Sequence, residues 1–232
     1  MQRICGILLA AGVVASANAT TVGVDDSTAP WLGFMNVFEL PENGGAFVFP
    51  SGWGVSDLVA TFDDAAPSLT MSPNTIGDPN EFWYQGGRPG EDPNNPNDNG
   101  GPGAPGNKIM EANLFQQVTG GLSGQVVTFE GYVLSNTFTS AHEARIFIRD
   151  FAPDFSTFNE TIVPATTGAF SISLATVADP NRHVQWGFQV KGVNVWVTDT
   201  APFGNVVFSS VPAPASVALL GLGGLVAGRR RR

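Results

Sequence analysis

The chain has 232 residues, 43% hydrophobic and only 13% charged, with a single cysteine and a formal net charge of −9. That cysteine is Cys5, so beyond the first few residues there is no thiol for a disulfide, a thiolate metal site or a cysteine nucleophile. Five of the eleven basic residues are Arg3 and Arg229, Arg230, Arg231 and Arg232, and all twenty acids lie between them. Segment 20–211 therefore carries six basic and twenty acidic side chains, net −14, which excludes the basic patch that nucleic acid or an anionic membrane surface requires.

The N-terminus reads as a secretory signal peptide. Arg3 is the positive start, 4–15 is an apolar stretch shorter than the roughly 20 residues that span a bilayer, and Ala17-Asn18-Ala19 fits an A-x-A cleavage pattern. Ala17 and Ala19 are the cleavage residues, a helix is predicted over the signal, and the mature chain is expected to start at Thr20. About 190 residues then remain, enough for one domain with its own core.

That domain, 20–210, is predicted to be all-β, an antiparallel β-sandwich. Gly, Pro, Asn, Thr and Val are abundant, long helical periodicity is absent, and runs alternate with period two. Strands are expected near 32–39, 57–62 and 109–118. In 125–134, Val127, Phe129 and Val133 oppose Thr128, Glu130 and Tyr132. In 143–151, Ala144, Ile146 and Ile148 oppose Arg145, Phe147 and Arg149. In 169–176, Phe170, Ile172 and Leu174 alternate with serines. In 183–191, Val184, Trp186, Phe188 and Val190 oppose His183, Gln185, Gln189 and Lys191. In 193–198, three valines oppose Asn194, Trp196 and Thr198. The segment 86–107 has no apolar face and reads as a long loop inserted within the domain. Its Glu91, Asp92 and Asp98 are oxygen ligands suited to calcium, but they lack the order of an EF-hand loop, so a solvated loop is the default.

Little in the chain points to catalysis, and a non-enzymatic role is expected. The only histidines are His142 and His183. No G-x-S-x-G elbow presents a serine, and His142-Glu143 is not followed by the second histidine of H-E-x-x-H. Glu39, Glu130, Glu143 and Glu160 are the carboxylates that a glycan hydrolase or lyase would draw on, and a surface role is the expectation for each.

The outward faces carry a more specific signal. Tyr132, Arg145, Phe147, Arg149, Gln185, Gln189 and Trp196 would all point away from the core. Aromatic rings stack on the C–H face of a sugar, while amides and guanidinium groups pair with hydroxyls. Trp196 is the leading candidate platform, although packing is the more frequent fate of such a residue, and Trp83-Tyr84 beside the long loop is a second. Exposure of Trp196, Tyr132 and Arg145 together would favour binding, whereas their burial would favour a purely structural role. Trp31, Trp53 and Trp186 read as packing residues.

The C-terminus has three parts. Val211, Pro212, Ala213 and Pro214 precede an apolar stretch, 217–228, that contains four glycines and is predicted to form a short helix. The four terminal arginines follow. Twelve helical residues cover about 18 Å against a hydrocarbon core of about 30 Å, so any anchor is weak and transient, with the arginines on the cytoplasmic side. This tail resembles a PEP-CTERM sorting signal, with Ala213 where that family usually has glutamate. The resemblance implies a sorting protease or transpeptidase of the exosortase type as partner, and residence at the outer cell surface or in the extracellular matrix.

Three short stretches resemble the galactose-binding-like jelly-roll class of carbohydrate-binding modules. They are Asn36-Val37-Phe38-Glu39, the loop and strand from Gly121 to Phe129, and Gly204-Asn205-Val206-Val207-Phe208. The resemblance implies a jelly roll that binds extracellular polysaccharide. It also implies a structural Ca²⁺ held near the first and last strands, where Glu39 and Asn205 fall, with Asn205 in place of the usual aspartate. A structural matrix or spacer protein without a small ligand is the alternative.

Overall fold

The structure is a computed structural model that describes residues 18–77 and 101–210. The period-two runs form strands because alternate side chains enter opposite faces of a pleated sheet. Fourteen strands occur among the described residues: β1 (Ala19–Val22), β2 (Leu32–Glu39), β3 (Phe47–Trp53), β4 (Ala60–Asp63), β5 (Ser68–Met71), β6 (Thr75–Ile76), β7 (Lys108–Thr119), β8 (Val126–Asn136), β9 (His142–Phe151), β10 (Phe158–Pro164), β11 (Gly168–Ala175), β12 (His183–Val193), β13 (Val195–Trp196) and β14 (Val206–Ser209). Helical turns among them are 3₁₀ only, at Pro41–Asn43, Ser56–Leu58 and Ala201–Phe203.

Two sheets make an all-β sandwich. The first has the order β10-β9-β12-β7-β2-β3 and is antiparallel throughout. In the second, β8 is flanked by β11 on one side and by β14, β5 and β4 on the other, while β1 pairs with the start of β8 in parallel. A small parallel pair, β6 and β13, stands apart from both.

The core lies between the sheets and is largely aromatic. Phe188 of β12 stacks on Phe208 of β14 at 3.8 Å between centroids and meets Phe129 of β8 at 5.4 Å. Trp31 closes one end against Phe62 and Phe188. Each fully buried phenylalanine or leucine contributes about 1.5–3 kcal/mol by leaving water. Trp186 is also in the core, and Trp53 packs against its margin.

Three expectations change. The segment 57–62 is not one strand, because Ser56–Leu58 forms a 3₁₀ turn and Val59 takes a left-handed φ of 52° before β4 begins. The segment 193–198 does not alternate as expected. β13 is two residues long, Asn194 is buried and Val197 is half-exposed. The reason is a hydrogen-bond demand: the Asn194 side chain accepts from the Lys108 amide at 3.0 Å, and the Asn194 amide donates to the Lys108 carbonyl at 3.0 Å. The end of the expected solvated loop is packed rather than free, for Gly106 and Asn107 are buried and Ala104 lies against the core. Gly106 approaches Asn194 so closely that a Cβ there would collide with its carbonyl. The remainder of that loop up to residue 100, with Glu91, Asp92 and Asp98, lies outside the described residues, as do the expected signal and C-terminal helices. Among the described residues no helix is long and apolar enough to cross a membrane.

Candidate functional site

The outer face of the first sheet carries the most developed surface feature, a groove of about 730 Å³ floored by five strands. The sheet register arranges its side chains in rows. One polar row runs Glu160, Arg149, Gln185, Gln117 across β10, β9, β12 and β7. The next is apolar: Ile162, Phe147, Gly187, Phe115 and Leu32. A third row sets Arg145, Gln189, Asn113 and Phe34 side by side, and a fourth sets Glu143, Lys191, Glu111 and Asn36. Gly187 sits at the centre of the apolar row, where a Cβ would collide with the Leu114 carbonyl.

Hydrogen bonds hold these rows in place. The Asn113 side-chain amide donates to the backbone carbonyls of Phe34 (3.3 Å) and Glu111 (3.1 Å). Its oxygen accepts from Arg149 at 2.9 Å and from Gln189 at 3.0 Å. Arg149 also donates to Glu160 at 3.1 Å and lies 4.0 Å over the Phe147 ring, a cation–π contact. Gln185 donates to Gln117 at 2.8 Å. Lys191 and Asn36 both donate to Glu111, at 3.0 Å each, and Arg145 pairs with Glu143 at 2.7 Å. The Gln189 oxygen is buried and accepts no hydrogen bond.

Exposed apolar side chains form the rims. Leu32 and Phe34 stand on one side, and Phe155 and Phe158 on the other. Phe155 holds a left-handed φ of 59°, rare for a bulky residue, and stacks on His183 at 4.3 Å. The turn beneath it is fixed by Asp154, whose carboxyl is held below its ordinary range by hydrogen bonds from the Ser156 hydroxyl and amide.

Of the residues expected from the sequence, Arg145, Arg149, Gln185 and Gln189 come together in this groove. Phe147 lies in the same face but is fully buried beneath Arg149. Tyr132 and Trp196 are elsewhere. Tyr132 is on the opposite sheet, beside a second hollow of about 570 Å³ that it shares with Glu130, Ser171 and Ser210. Trp196 is half-buried and packs against the core, which corrects its expected place on an open face. The expected trio of Trp196, Tyr132 and Arg145 is therefore not one surface. Trp83 and Tyr84 lie outside the described residues, as do Ala17 and the sorting motif, while Ala19 begins β1. Sequence reasoning missed Asn113, Glu111, Gln117, Asn36 and Phe34. Alternation within 109–118 carried the signal for the first three.

The two carboxylates that line the groove, Glu160 and Glu111, are far apart, while Glu143, outside that lining, lies two strands from Glu111 in the same row. Glu160 is in register with Gln185, and Glu111 with Lys191 six residues further along β12, which is about 20 Å of strand. A glycosidase pair needs about 5–10 Å. Glu130 faces the opposite direction and accepts from Ser171.

Among the described residues no group of three or more His, Cys, Asp or Glu side chains forms a metal site. Glu39 ends β2 and pairs with Lys108 at 3.2 Å. Asn205 leads into β14 of the other sheet, with its backbone tied to Thr137.

Comparisons of the chain with family models, curated proteins and solved structures found no match.

Proposed function

We propose that the chain is an exported, non-catalytic protein of the cell surface or extracellular matrix, whose jelly-roll sandwich binds polysaccharide along the groove of the first sheet. The observation that carries this reading is the alternation of rows in the groove. An apolar stripe with exposed Phe34 and Phe158 at its margins suits the C–H faces of sugars. The amides and guanidinium groups in the rows beside it suit their hydroxyls. Its volume lies within the range of ligand sites, about 300–1,000 Å³. Export, sorting by an exosortase-type enzyme and transient C-terminal anchoring rest on the end segments of the sequence.

The test is binding of the exported chain to a panel of soluble and insoluble polysaccharides, with Phe158→Ala and Trp196→Ala as a contrasting pair. Phe158→Ala should weaken binding by about 1–2 kcal/mol with little change in stability. Trp196→Ala should lower stability by about 2–3 kcal/mol and leave the affinity of the folded fraction unchanged. Absence of binding to every polysaccharide would favour the structural spacer instead.

A further inference from the structure

Among the described residues, the groove has one buried acceptor that no donor reaches. Its orientation is fixed by its neighbours. The Asn113 NH₂ is committed to two backbone carbonyls, which can only accept, so the Asn113 oxygen must face Arg149 and Gln189. Arg149 can only donate to that oxygen. Gln189 must therefore also donate with its NH₂, and its Oε1 is turned away with no partner. Gln189 is 2% exposed, so water satisfies this oxygen poorly. A buried acceptor left in this state is costly, and a ligand donor placed against it relieves that cost.

The cations of the same face are in the opposite condition. Arg149 is paired with Glu160, Lys191 with Glu111 and Arg145 with Glu143. An anionic ligand would have to break one of these pairs while approaching a segment with net charge −14.

Resting on the polysaccharide reading above, we infer that the groove selects a neutral, hydroxyl-donating glycan, and that Gln189 Oε1 is the acceptor that recognises it. Gln189 lines the groove between Arg145 and Asn113, in the row beside Gly187.

The experiment measures binding of the exported chain to neutral cello-, manno- and galacto-oligosaccharides, and to polygalacturonate and dextran sulfate. Each is titrated at low and at high salt. Binding of a neutral member with an affinity that does not change with salt is the expected result. Gln189→Met, checked for an unchanged fold by circular dichroism, should then weaken it about tenfold or more. Preference for an anionic member with salt-sensitive affinity overturns this inference and leaves the groove reading standing. So does neutral binding that Gln189→Met leaves intact. Failure of every glycan, neutral and anionic, overturns the groove reading itself. The salt series on the unaltered chain decides the matter even where the variant does not fold.

Discussion

At the scale of single residues, the most demanding position is Asp150. It is fully buried in β9, yet both carboxylate oxygens are used. Arg182 Nε donates to one at 2.7 Å and the Val177 amide to the other at 2.8 Å, while a second guanidinium nitrogen of Arg182 reaches the Asp150 carbonyl. The pair fastens the β11–β12 connection to the first sheet. Removing one partner would leave the other charge without compensation in a dry interior. Arg182→Ala should therefore cost about 3–5 kcal/mol in a urea titration, whereas a surface pair such as Arg145–Glu143 should cost under about 1 kcal/mol. Nothing in the sequence announced this pair, because Asp150 falls on the inward face of a strand and its partner lies in a turn 32 residues away.

At the scale of elements, His142 joins three pieces of chain. It opens β9, hydrogen-bonds through Nε2 to the Val193 carbonyl at the end of β12, and packs between Phe138 and Phe203 of the Ala201–Phe203 turn. Because the Val193 carbonyl can only accept, Nε2 carries the proton. Burial among these rings lowers the His142 pKa from its ordinary 6.5, an effect larger than the opposing pull of that hydrogen bond. The unfolded chain then binds the proton more readily than the folded one, so stability falls as pH drops below about 6.5 and continues to fall until the folded histidine is itself protonated. Thermal melts from pH 7.5 to 5 should show this slope, and His142→Phe should flatten it.

Elements were also where the sequence was most and least readable. The sequence located β7, β8, β9, β11 and β12 to within a residue or two, and alternation assigned the inward faces of the last four, since apolar and polar side chains separate cleanly there. It passed over β3, whose Pro50 and Gly52 look like a turn but are tolerated on a sheet edge. It misread β13, where a buried asparagine replaces the apolar inward residue. The groove was half legible for a related reason. Alternation says which face of its own strand a residue occupies, but not which strand lies beside it. Arg145, Arg149, Gln185 and Gln189 were therefore found, Tyr132 was grouped with them although it belongs to the other sheet, and their neighbours on β2 and β7 were missed.

At the scale of the whole molecule, the two sheets divide the surface into unlike halves. The first presents the groove. The second receives both ends of the described chain: β1 lies along the start of β8, and β14 ends beside Tyr132, so that Ser210 emerges among Glu130, Tyr132 and Ser171. A chain held by its C-terminal tail would thus be suspended from one sheet with the other turned outward. Cysteine placed at Phe158 on the groove rim and at Ser171 on the opposite face can report this, because the only native thiol is Cys5. On tail-immobilised protein, a bulky maleimide should label Phe158→Cys several times faster than Ser171→Cys, while the two should react alike in free solution. In a layer of chains tethered by their tails, the exit at Ser210 would act as a compass: it would turn the grooved sheet of every copy toward the surroundings, so that a crowded layer would offer one continuous, similarly oriented plane.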